Sequence, residues 1–151
     1  MANIDLALLK KLREETSVSV SDCRKALEEA NGDYKKALGI VRSQAAAKAE
    51  KKADRATGEG LIEAYIHGNG KIGAMVEILC ETDFVARTDE FKHLAHEVAM
   101  QVAAMAPKDL ATLLKQEYIK DSSKTIEQLV KEAIQKIGEN IVVKRFERFS
   151  L

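Results

Sequence analysis

Cysteine is scarce, proline occurs once, and neither sign of charge is in excess; each shortage narrows what this chain can do. The two cysteines, Cys23 and Cys80, stand in different segments without the paired spacing of a metal site. Two free thiols in a reducing compartment are therefore expected, not a disulfide framework. Lys and Arg number 24 and so do Asp and Glu, which leaves no global charge to draw the chain to nucleic acid or to an anionic membrane. No apolar run approaches the roughly 20 residues that span a bilayer. Met1-Ala2-Asn3-Ile4-Asp5 lacks the basic-then-apolar layout of a signal peptide. A cytoplasmic protein is expected, with neither membrane insertion nor autonomous nucleic-acid binding. A glycine-rich phosphate loop of the Walker type is also missing, so the chain is not expected to hold a nucleotide itself.

What is present is helical periodicity at both ends and strand periodicity in the middle. With 151 residues the chain can bury a sizeable core, or divide into a small module and a larger domain. Ile4, Leu8, Leu9 and Leu12 recur at helical spacing behind a possible Asn3 cap. Ser19 and Asp22 have capping-box spacing ahead of Ala26, Leu27 and Ala30, and that second helix stops at Asn31-Gly32. Asp33 can cap a third helix carrying Ala37, Leu38 and Val41. From Ser43 to Ala56 the composition turns to Ala, Lys and Glu without an apolar stripe, which describes a solvated helical linker. Leu61–His67 and Lys71–Leu79, joined by Gly68-Asn69-Gly70, read as a β-hairpin.

Beyond the hairpin, Phe91, Leu94, Ala95, Val98, Val102 and Met105 share one helical face, and Pro107 limits that helix. Leu110, Leu113 and Leu114 suggest a short helix. Ile126, Leu129, Val130, Ala133, Ile134 and Ile137 mark a longer one behind Thr125, ending at Gly138. Asn140–Ser150, β-branched and aromatic, is a third strand. The fold expected is α+β: residues 1–43 a three-helix module, 44–57 the linker, and 58–151 a core of helices on a three-stranded antiparallel sheet.

The stretch Glu81-Thr82-Asp83-Phe84-Val85-Ala86-Arg87 connects the second strand to the long helix. Such connections run over the surface, so Phe84 is either an exposed anchor or folds back with Val85 as a staple on the next helix. Catalytic readings find less support. His93 and His96 lie three apart on one helix near Cys80 and Glu97, but no second ligand pair accompanies them and no metal site is expected. Cys80 ends an apolar strand without a histidine placed as its base, so a small buried side chain is its expected role. No catalytic residue and no cofactor follow from these patterns.

Three segments in order resemble a known family. Glu77-Ile78-Leu79-Cys80-Glu81-Thr82-Asp83-Phe84-Val85-Ala86-Arg87 resembles the motif of the translation elongation factor Ts family, nucleotide exchange factors of the GTPase elongation factor Tu. Leu12-Arg13-Glu14-Glu15-Thr16, Asp22-Cys23-Arg24-Lys25-Ala26-Leu27 and Ala30-Asn31-Gly32-Asp33 match upstream, and Ile137-Gly138-Glu139-Asn140-Ile141-Val142-Val143 near the end. The resemblance implies a ubiquitin-associated-like bundle at the N-terminus, no enzymatic step, and GDP-bound elongation factor Tu as partner. It implies that Thr82, Asp83, Phe84 and Val85 dislodge the partner's magnesium, and that Arg13, Val20 and Arg24 contact the partner. Short members of the family form homodimers. An apolar closing strand suggests the same here, with Phe146 and Phe149 near the contact and Val143 as the site to disrupt it. The sequence departs from the family pattern at Leu79, where Asn is usual, at Ser17 and Ser19, where glycines are usual, at Val20-Ser21, and at Arg24, usually Lys. It is also short between Pro107 and Thr125. The alternative reading is a helical-bundle interaction module without exchange activity.

Overall fold

Short polar side chains that fold back onto the backbone start nearly every helix, because the first amides of a helix have no partner within it. The computed structural model describes residues 4–151, so the Asn3 cap lies outside the described residues. Asp5 caps α1 (Leu6–Thr16), Ser19 caps α2 (Val20–Glu29) and Asp33 caps α3 (Tyr34–Lys52), each accepting from a first-turn amide. The Ser19 bond is made with Asp22 N at 3.1 Å. Asp22 does not return to the Ser19 amide; its carboxylate lies 3.5 Å from Lys48 Nζ on α3. Ser17, where a glycine is usual, closes α1 at φ 55, a left-handed conformation that costs a non-glycine residue about 1 kcal/mol.

Two apolar clusters organise the chain. Leu12, Val18, Cys23, Ala26, Leu27, Ala37 and Val41 pack α1, α2 and the first half of α3 against one another. The larger cluster gathers α5 (Asp89–Met105), α6 (Leu110–Lys115) and α7 (Ile126–Ile137) on one face of an antiparallel sheet of β1 (Glu59–His67), β2 (Ile72–Cys80) and β5 (Val142–Ser150). Strand order is β1-β2-β5, so β2 is central. Its Ala74, Val76, Ile78 and Cys80 all face the helices. Met105, at the end of the α5 stripe, is nearly half exposed.

Three details differ from the sequence expectation, each for a stated reason. Residues 44–52 are not a separate solvated linker but the second half of the continuous α3, and its Ala45 and Ala49 are buried. Ala49 belongs to the larger cluster, and α3 packs on α7. Small side chains bury little area each, so their face leaves no recognisable apolar stripe. Arg42 reinforces the same packing, donating from Nη1 to Ser123 O and from Nη2 to Ser123 Oγ, both at 3.2 Å. Secondly, Glu117–Tyr118 and Asp121–Thr125 form a small hairpin, β3–β4. It is too polar and short to read as strands.

The third difference concerns β5. Its pairing with β2 slips at Glu77/Ile78: Ile78 faces Val143 while Glu77 faces Arg145, leaving Lys144 as an extra residue. A bulge of this kind reverses which face the following side chains occupy. Val143, before the bulge, is buried, and because of the bulge Phe146 also packs on the core, whereas Phe149 points to the opposite face. Phe146 and Val143 therefore cannot lie at a contact on the outer face of the sheet.

If α3 is packed along its length, the same substitution should act differently on its two sides. Ala49→Glu should lower unfolding free energy by about 2 kcal/mol in denaturant melts, through burial of an unpaired charge. Ala47→Glu, on the exposed side of that helix, should change it by less than about 0.5 kcal/mol. Equal small effects would restore the solvated linker.

Candidate functional site

At the end of β2 the chain must leave a sheet and enter a helix within a few residues, and the amides released at that corner need acceptors. Glu139 provides them. Its Oε2 accepts from Glu81 N and from Thr82 N, both at 3.0 Å, and its Oε1 accepts from Thr82 Oγ1 at 2.7 Å. Thr82 Oγ1 in turn accepts from Val85 N at 3.3 Å, capping a single helical turn, α4 (Asp83–Ala86). The Glu81 carboxylate returns the favour, accepting from Asn140 N at 2.7 Å. Buried Asn140 donates its side-chain amide to Ala53 O and Arg55 O, at 3.3 and 3.0 Å, tying the end of α3 to the same corner.

The turn so formed divides its side chains between core and solvent. Val85 and Ala86 are buried, 7% and 8% exposed, while Phe84 is 78% exposed. The staple is thus half realised: Val85 folds back and Phe84 does not. Burying one valine-sized side chain contributes roughly 1.5–3 kcal/mol, enough to hold one turn that helix propensity alone would not. Thr88 closes the segment, donating to Val85 O at 2.8 Å and capping α5 through Phe91 N. Asp83 and Arg87 pair at 2.8 Å on the outside. Both are well exposed, so this pair contributes little.

Residues of the elements around the turn explain its rigidity. Gly60 on β1 faces Leu79, and a Cβ there would sit 2.1 Å from Ile78 O, so only glycine permits this pairing. Cys80 is buried and donates its thiol to Thr82 O at 3.2 Å. Burial, with the Glu139 carboxylate nearby, pushes that thiol above its ordinary range and keeps the proton in place. A protonated, enclosed thiol is a poor nucleophile. Leu79 is half-buried on the opposite face and takes no part in the corner.

The other expected candidates lie elsewhere. Arg13 on α1 and Arg24 on α2 are exposed, as is Val20, and Arg24 Nε meets Glu28 Oε1 at 3.2 Å. His93 and His96 point to different carboxylates: His96 Nδ1 is 3.1 Å from Glu63, and His93 Nδ1 is 3.9 Å from Glu97. Among the described residues no three His, Cys, Asp or Glu side chains gather as metal ligands would. Glu97 is structural. Burial alone would raise its carboxyl, but Lys120 at 2.7 Å and the Tyr118 hydroxyl outweigh that and hold it below its ordinary range. These bonds fasten β3–β4 to α5. Glu139 and Asn140 stand in the sequence only as parts of a motif, and nothing in their spacing shows which loop they hold.

Among the described residues no helix is long and apolar enough to cross a membrane. Comparison with known proteins converges on one family. The family model described as elongation factor TS matches residues 81–151, the part of the chain that holds the Phe84 turn and Glu139. Elongation factor Ts of Coprothermobacter proteolyticus is 42% identical, with 98% of each chain covered. Those of Thermotoga neapolitana and Thermotoga maritima are 44% and 45% identical, over 98% of this chain and 97% and 96% of theirs. The aligned stretch of 191 to 193 positions exceeds the 151 residues here, so these relatives carry internal segments that this chain lacks. Identity at this level across nearly the whole length shows that the chain belongs to the elongation factor Ts family.

Proposed function

We propose that this protein is a guanine-nucleotide exchange factor of translation elongation, acting in the cytoplasm on GDP-bound elongation factor Tu. Membership of the family supports the partner, and one observation carries the mechanism: Phe84 is exposed on a turn whose neighbouring residues Val85 and Ala86 are buried. An exposed aromatic on an immobilised turn loses little conformational freedom on docking, which is what an interface anchor requires.

The partner's magnesium keeps near-ideal octahedral geometry, so a small displacement of its ligands weakens GDP. Phe84 wedges among side chains of the nucleotide domain, with Thr82, Asp83 and Val85 shaping the turn that carries it, and magnesium is dislodged. No covalent step is involved and no nucleotide binds to this chain. By linkage, the factor by which the protein weakens nucleotide equals the factor by which nucleotide weakens the protein, so GTP rebinding helps to release it. Each tenfold of coupling requires about 1.4 kcal/mol of differential contact. Residues 1–43 act as a separate docking module through Arg13, Val20 and Arg24, whose exposure leaves them free to do so.

The protein acts as a two-fold dimer joined through the outer face of its sheet. That face carries Ile62, Ile66, Met75 and Phe149, which are 60%, 65%, 48% and 69% exposed. Contiguous apolar surface of this kind is normally covered. A self-complementary patch is closed by one symmetric partner.

Release of labelled GDP from elongation factor Tu tests the exchange reading. Phe84→Ala should slow stimulated release about thirtyfold or more, the effect of losing roughly 2 kcal/mol at an anchor, with no change in thermal midpoint. Binding that persists while release stays flat for the unmodified protein would instead indicate an interaction module. Light scattering at micromolar concentration tests the dimer: a mass near twice 16.7 kDa is expected. Ile66→Lys should reduce the mass to one chain. Val143 cannot serve in this test, because a charge there would enter the core.

A further inference from the structure

We propose that Glu139 is the positioning residue of the Phe84 turn, holding it in docking shape before the partner arrives. The inference rests on Phe84 being the exchange anchor and adds a residue whose carboxylate is engaged within this chain. Its carboxylate accepts all three donors that Glu81 and Thr82 turn toward it: two amides on Oε2 and the Thr82 hydroxyl on Oε1. The Thr82 oxygen then accepts from the first-turn amide of Val85. From Glu139 to the base of the Phe84 turn the path is two hydrogen bonds long.

The path has its own fixed origin. Gly138 ends α7 at φ 90, a conformation that L side chains rarely adopt, and so reverses the chain directly before Glu139. Reciprocal bonds then lock the two corners, Glu139 to the Glu81 and Thr82 amides and Glu81 to the Asn140 amide. The burdens differ. Asn140 is buried and ties α3 to the core, a structural task, whereas Glu139 is half-buried at the surface, so truncating it opens no cavity in the core. What its loss releases is the corner itself. Misplacing a docking group by about 1 Å from a distance can lower a rate a hundredfold.

The test uses the full chain and labelled GDP release from elongation factor Tu at saturating exchange factor. Glu139→Ala should lower the maximal release rate about tenfold or more while half-saturation moves less than about threefold, since the separate docking surfaces remain. Glu139→Gln can accept both amides on its oxygen and donate to Thr82 Oγ1 from its nitrogen, so it should retain the rate. Glu139→Asp is one methylene too short and should behave like Ala. If the Ala variant fails to fold, this Gln-against-Asp contrast still decides, and equal rates for the two would overturn the proposal. Combining E139A with F84A should cost no more than F84A alone, because one residue acts through the other. Additive losses would assign Glu139 a general structural role and overturn it. A Phe84→Ala variant with undiminished exchange would remove the anchor reading itself. Impaired F84A beside a fully active E139A would remove only the positioning role.

Discussion

A carboxylate that collects three donors at one chain corner is the interaction on which the candidate site depends. Two amides and a hydroxyl converge on Glu139, each a charge-assisted hydrogen bond. Without it, β2 would end in unpartnered donors and the following turn would have to find water or another path. Because the acceptor comes from beyond α7, the corner forms only when the helix layer is docked on the sheet. The presentation of Phe84 is thus a consequence of the whole core being assembled, not a property of the loop. That dependence explains why the motif residues of the site are split between Glu81–Arg87 and Gly138–Asn140, more than fifty residues apart.

The sheet beneath that corner has two unlike faces. The inner one is sealed by α5, α6 and α7, with Phe91, Val98 and Val102 fully buried against β2. Outside, the Arg145–Glu77 pair at 2.5 Å and the exposed Glu147 opposite Met75 interrupt an otherwise apolar surface running from Ile62 to Phe149. The N-terminal helices are held to this core more firmly than their composition suggests, through buried alanines of α3 and the Arg42 bonds to Ser123. The uncovered face and the mounted bundle are distinct surfaces, as the proposed dimer and the proposed docking to a GTPase require.

Most of the fold was legible from residues whose chemistry acts locally. Ser19, Asp33 and Thr125 announce helices because their short oxygens reach the backbone, and Gly68-Asn69-Gly70 announces a hairpin because few other residues turn so tightly. Legibility failed where the deciding interaction was distant. Whether Phe84 or Val85 would face the core depended on where α5 lay, and the roles of Glu139 and Asn140 depended on a corner almost sixty residues away. Two failures were local but concealed. Alanines supplied the buried face of α3 against α7, and a single extra residue at Lys144 reversed the alternation of β5, sending Phe146 inward and Phe149 outward. The Tyr118–Glu97–Lys120 fastening of β3–β4 is polar and non-local at once, which is why those residues read as loop and candidate ligand.

Everything proposed for the site assumes that the Phe84 turn is formed in the free protein. Hydrogen exchange of the Glu81–Arg87 amides, followed without any partner, measures that directly. The account predicts that the Glu81, Thr82 and Val85 amides exchange at least about a hundredfold more slowly than in an unstructured chain, matching the adjoining end of β2. Exchange at the unstructured rate, while β2 and α5 stay protected, would show a corner that forms only on binding and would contradict it.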